Sequence, residues 1–299
     1  MISDVTMQRL AFIRYLYTRG VEASRRPEPL SAASILTFHD SIELFLALAS
    51  EHLDVGGRDS GFMEYWELLK PKLPDDGLTQ KRAMRRLNKS RVALKHHGTL
   101  PSKLDIEAFR ASSTSFFEEN TPLVFGIDFT SVSMTRLVQD AQARASLEQA
   151  DLLLREKDDR EEALGLIAVA FHQVVDGWEL SKRGPLGDSP FFFGKRLTRL
   201  DSFLIKVPDR NLTKFIDAVI DSIGSMQSAM KLLSFGLDYR RYVKFRLLTP
   251  GVVGVYEGGY TVHRFEQEDL PLPSLEDCRF CHDFVIECAI HLQTLDFEL

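Results

Sequence analysis

Apolar positions recur at helical spacing over most of this chain. A short pattern runs from Met7 to Tyr17 and gives way to Arg25-Arg26-Pro27-Glu28-Pro29, where two prolines predict an extended arm or linker. Next comes the strongest amphipathic segment. Ser31 can cap it, and Ile35, Ile42 and Ala49 repeat every seven residues, with Phe38, Phe45 and Leu46 between them and Leu53 at the end. The pattern predicts further helices over about 60–70 (stopped by Pro71), 78–96 (stopped by Gly98 and Pro101) and 105–118. Residues 121–133, with Pro122, Gly126 and several β-branched positions, loosen the pattern and are expected to mark a domain boundary.

Helical spacing resumes over 134–156 and 160–181, then, past the loop 184–190, over 191–205 and 210–234. After Gly236, residues Tyr242–Leu247 alternate as a strand would. Val252–Tyr256 and Tyr260–Phe265 predict a hairpin around Glu257-Gly258-Gly259, and residues 275–295 return to helix. The expected fold is mainly α, in four parts: an N-terminal arm (1–30), a four-helix domain (31–120), a second helical domain (121–235), and a small β-hairpin with a C-terminal helix (236–299).

Composition narrows the function classes. With 44% hydrophobic and 27% charged residues, wholesale disorder is excluded. The net charge of −6 leaves no global positive field, so a nucleic-acid site would have to be local. Cys278, Cys281 and Cys288, odd in number, make no disulfide framework. No signal peptide is apparent, and the apolar run Ile42–Ala49, interrupted by Glu43, is far shorter than the ~20 residues a bilayer requires. A cytoplasmic protein without membrane attachment is expected.

A local excess of positive charge does exist. Between Asp76 and Asp105 there is no acidic residue, while Lys81, Arg82, Arg85, Arg86, Lys89, Arg91, Lys95 and Lys103 all fall there, with His96 and His97. Arg82, Arg85, Arg86 and Lys89 share one helix face, which would suit a phosphate backbone; Lys95 adds to the charge near the helix end. The plain alternative is a solvated face answered by acids from elsewhere, such as the stretch around Glu156–Glu162. Arg91 differs. It sits with Met84, Leu87 and Leu94 in the apolar stripe, so its guanidinium calls for a partner, with Asp40, Glu43 and Glu51 as candidates; otherwise it snorkels from the core edge.

Arg91 to His96 reads R-x4-H near the end of a helix in an all-α segment. Over about residues 31–120 this resembles the HEPN superfamily, whose active members are metal-independent RNases. The resemblance implies a dimer in which the Arg and His of two protomers meet, with Arg91 and His96 catalytic and RNA as substrate. It also implies a toxin or phage-defence setting, with an antitoxin or other protein partner, and no cofactor. Val92 stands where many active members carry a polar residue. Chemically, metal-free RNA cleavage uses the 2′-hydroxyl as nucleophile. It needs a group titrating near neutrality, which is histidine, and a fixed cation for the phosphorane charge, which is arginine. On a continuous helix Arg91 and His96 point about 140° apart. Either the chain turns His96 back after Lys95, or a second protomer completes the site. His97 fits a looser version of the same spacing. The rival reading is a non-catalytic helical scaffold or protein-interaction module in which Arg91 is structural.

Other constellations read as structure. Cys278-x2-Cys281-x6-Cys288-x2-His291 has metal-ligand residue types, but on one straight helix its ends are about 20 Å apart. The three cysteines with Val285 and Leu292 instead form an apolar stripe. His39 and Glu43, one turn apart, read as a satisfied core histidine beside a surface acid. Phe191-Phe192-Phe193 beside Lys195, Arg196 and Arg199 reads as the buried start of a helix rather than a base-stacking platform. No metal site is expected.

Overall fold

The computed structural model describes residues 2–56, 60–74, 77–183, 189, 191, 193–194, 210–254, 259–263 and 272–295. Two compact units divide the chain, Met1–Leu137 and Val138–Leu299. The fold is mainly helical, with an N-terminal cluster of helices and a small C-terminal hairpin followed by a helix.

The first unit holds α1 (Asp4–Ser24), α2 (Ala33–His52), a short α3 (Tyr65–Leu69), α4 (Lys81–His97) and α5 (Lys103–Phe125). The N-terminal arm expected over 1–30 is instead mostly helix α1. Ser3 caps it by accepting the Thr6 N–H, and Leu10, Ala11 and Ile13 are buried in the core. Charged and polar residues at both ends of that apolar stretch, Asp4 and Arg9 before it and Arg14, Thr18 and Arg19 after it, hide the length of the helix from the pattern alone. Gly20 allows α1 to approach α2 closely: a Cβ there would lie 2.7 Å from the Phe38 ring.

The predicted repeat on α2 is its buried face. Ile35, Phe38, Ile42, Phe45, Leu46 and Ala49 are all fully buried, and each large side chain contributes roughly 1.5–3 kcal/mol by leaving water. Phe45 meets Phe116, Phe117 and Phe125 edge-on, with ring centroids 5.3–5.7 Å apart. With the preceding turn, Leu30–His52 forms a 23-residue stretch long and apolar enough to cross a membrane, more than the run Ile42–Ala49, and 61% of its apolar 18-residue window is buried.

The boundary expected at 121–133 falls differently. Residues Thr121–Phe125 complete α5, burying Thr121, Val124 and Phe125, and Gly126 ends the helix at φ 69°. Burial of that last turn outweighs the backbone N–H that Pro122 lacks.

The second unit contains α6 (Ala141–Leu152), a widened turn (Leu153–Lys157), α7 (Arg160–Ser181), α8 (Arg210–Ser234), α9 (Tyr239–Leu248), strands β1 (Gly251–Gly254) and β2 (Tyr260–His263), and α10 (Leu275–Thr294). The strand expected over Tyr242–Leu247 is helix α9. Asp238 caps it by accepting the N–H groups of Arg240 and Arg241. Tyr242 and Phe245, three residues apart, form one helix face that packs on Phe171, with centroids 5.5 and 5.0 Å away. The apolar alternation of Val243, Phe245 and Leu247 does not survive in the helix, where Phe245 is buried and Val243 and Leu247 are exposed.

Strands β1 and β2 pair antiparallel, Gly251 opposite His263 and Gly254 opposite Tyr260. Glu257 and Gly258 of the predicted turn lie outside the described residues, as do most of the predicted helix over 191–205 and the residues Phe192, Lys195, Arg196 and Arg199. The cysteine stripe on α10 is buried as expected, with Cys278, Cys281, Val285, Cys288 and Leu292 facing the core. His291 sits 2.9 Å from the Phe235 carbonyl through Nε2.

Candidate functional site

Helix α4 carries the candidate residues, and its two ends fix their directions. At the start, Gln80 adopts a left-handed conformation (φ 58°) and Lys81 pairs with Glu67. At the end, Gly98 is left-handed (φ 65°); its N–H bonds the Leu94 carbonyl at 3.1 Å and the Thr99 N–H bonds Ala93 at 3.2 Å. This is the closure that favours glycine, and it comes after His97. The helix is therefore unbroken from Arg91 through His96, and no loop turns His96 back.

Arg82, Arg85, Arg86, Lys89 and Lys95 are exposed, as are His96 and His97. At 100° per residue His96 falls about 20° from Lys89, on the same face as Arg85, whereas Arg91 lies about 140° from His96. The acids answering this face within the unit are few. Arg86 is 3.8 Å from Asp105 and its guanidinium lies 6.0 Å from the Phe109 ring. Leu78, Gln80, Lys81, Arg82, Ala83 and Arg86 line an open hollow of about 650 Å³ at the start of the helix.

Arg91 sits on the opposite side, toward α2, and is half-buried between the buried Met84 and Leu87 and the half-buried Leu94. The expected acid partners do not meet it. Glu51 pairs with Arg9, and the Asp40 and Glu43 carboxylates lie beside His39. Arg91 does lie near enough to His39 for its positive charge to oppose the imidazole's ionisation.

His39 is the feature that sequence reading undervalued. It is 2% exposed and stacks on Phe62, with centroids 4.3 Å apart. Its Nε2 is 3.1 Å from Asn88 Oδ1 on α4, so Nε2 carries the hydrogen and donates it. Nδ1 is left buried with no hydrogen-bond partner, 3.8 Å from Asp40 Oδ1 and 3.7 Å from Glu43 Oε2. Burial first, with Arg91 in addition, holds the imidazole pKa below its usual value, against the opposing pull of Glu43, Asp40 and the Asn88 bond. The histidine expected to be satisfied is thus satisfied at one nitrogen only. Asn88 was missed entirely. Its signal was a polar residue one turn before Arg91, on the flank of α4 that meets α2.

In comparisons with protein-family models, curated proteins and solved structures, the chain matches none.

Proposed function

We propose that this protein binds RNA along α4 and cleaves it without a metal ion, as a HEPN-type endoribonuclease acting as a homodimer in a toxin or phage-defence setting. The observation that carries the reading is the exposed face of α4, where Arg85, Lys89 and His96 line up beside Arg82 and Arg86. A phosphate chain lying on that face would be held by the cations and pass His96, the imidazole proposed as general acid or base. Arg91 supplies the fixed positive charge that a pentacoordinate phosphorane needs. Because helix geometry sets Arg91 and His96 of one chain apart, a twofold arrangement brings the Arg91 of one copy to the His96 of another.

The divergence of Arg91 and His96, together with the approach of Arg91 to His39, favours a second reading: a helical scaffold in which Arg91 tunes the α2–α4 contact. Incubation of the purified chain with labelled tRNA and mRNA, with and without EDTA, separates the two. The nuclease reading expects cleavage that EDTA does not abolish. The scaffold reading expects intact RNA in both.

A further inference from the structure

Among the described residues, His39, Asp40 and Glu43 form one group of three metal-competent side chains whose ligand atoms all lie within 4.8 Å of one another. We infer that this group, in the first unit of the fold, is a binding site for a first-row divalent metal of the zinc or manganese type. The inference does not depend on the RNase reading.

The tautomer carries the argument. With Nε2–H donated to Asn88, Nδ1 presents a bare lone pair, buried, toward two carboxylate oxygens that also present lone pairs. Three electron-rich atoms pointed at one another repel. A divalent cation between them turns the arrangement into an attractive one and uses all three lone pairs at once.

The geometry fits a metal. His39 and Glu43 are one helical turn apart, so both reach the same point above α2, and Asp40 closes on it from the next position. Zinc–nitrogen and zinc–oxygen bonds of about 2.0–2.2 Å place neighbouring ligand atoms about 3–3.4 Å apart. The observed 3.7–3.8 Å from Nδ1 to each carboxylate closes by a few tenths of an ångström, and the two carboxylate oxygens, within 4.8 Å of each other, draw in further. Asp40 and Glu43 can supply that movement, because their side chains are 58% and 51% exposed; the same exposure leaves room for water at the remaining coordination positions. Asn88 already provides what a metal-bound histidine ordinarily has, an acceptor for its other N–H that fixes the tautomer and the ring. One imidazole nitrogen among oxygen donors selects transition metals over magnesium and calcium. The two carboxylates outweigh Arg91 in charge, so the site is net negative. Because Asn88 lies on α4, an ion held by α2 would also steady the α2–α4 contact.

The test is titration of EDTA-stripped, dialysed chain with ZnCl2, MnCl2 and MgCl2, followed by calorimetry and thermal melting. One equivalent of zinc or manganese is expected to bind and raise the melting temperature, with magnesium inert at the same concentration. The Asp40→Asn/Glu43→Gln double variant changes only half-exposed side chains and is expected to lose affinity by about tenfold or more, while His96→Ala/His97→Ala keeps it. Absence of zinc and manganese binding, binding unchanged in the double variant, or binding lost with His96 and His97 would each overturn the inference. Should the double variant not fold, wild-type chain decides the matter. Substoichiometric Mn²⁺ is expected to broaden the NMR signals of the His39 ring and the Asn88 side-chain amide first; broadening centred elsewhere overturns the site.

Discussion

Arg91 and His96 lie on one uninterrupted helix that Gly98 closes only after His97, and their side chains leave the axis about 140° apart. His96 joins the exposed cations, whereas Arg91 is half-buried and close enough to His39 on α2 for its charge to oppose the imidazole's ionisation. A site that uses both residues therefore needs a second copy of the chain. In light scattering at micromolar concentration, an RNA-cleaving sample is expected to show the mass of two chains. A strictly monomeric mass in an active sample contradicts the composite site.

The basic face should reveal itself through salt. Changing Arg82, Arg85, Arg86 and Lys89 together to Glu removes four phosphate contacts. RNA affinity should fall, and the slope of log affinity against log salt should flatten by about three for a single strand. Filter binding across a salt series measures both, and an unchanged affinity and slope would remove α4 as the RNA surface. These residues are exposed, so the variant should fold.

The approach of α1 to α2 rests on Gly20. A methyl group there would lie 2.7 Å from the ring of Phe38, which is fully buried and would have to shift. Gly20→Ala is expected to destabilise the first unit by about 1–3 kcal/mol, read as a shift in denaturant midpoint. Thermal stability equal to wild type would mean that the two helices can separate without cost.

On α10 the three cysteines lie in the core, and burial raises the thiol pKa of each, that of Cys281 to about 12. Thiolate is the reacting form, so the native chain should react slowly with a disulfide reagent at pH 8 and give all three thiols after denaturation. A fast native reaction would place one of them at the surface.

Much of the fold is legible in the sequence wherever one periodic face meets one core. The repeat of Ile35, Ile42 and Ala49 gives α2, Gly98 gives the end of α4, and the cysteine stripe gives α10. The reading fails where tertiary burial overrides a local signal. Pro122 looks like a boundary, but its neighbours Thr121, Val124 and Phe125 are buried. Val243, Phe245 and Leu247 alternate like a strand, yet Asp238 caps a helix there. Of the candidate site, the exposed basic face was legible because charge on a helix surface follows directly from spacing. The surroundings of Arg91 were not. Which of Asp40, Glu43, Glu51 or His39 it faces depends on how α2 and α4 rotate against each other, and Asn88 had no signal strong enough to announce its bond to His39.

The central claim is most directly tested by the rate at which His96→Ala cleaves labelled RNA, compared with wild type at matched thermal stability and with EDTA present. His96 is exposed at the end of α4 and supports no core, so the fold should persist. The account predicts that cleavage is abolished in His96→Ala. It also predicts loss of cleavage in Arg91→Ala, and poor activity in Arg91→Lys, which keeps the charge without the forked geometry. Cleavage by His96→Ala as fast as wild type, while His97→Ala is equally active, would contradict it.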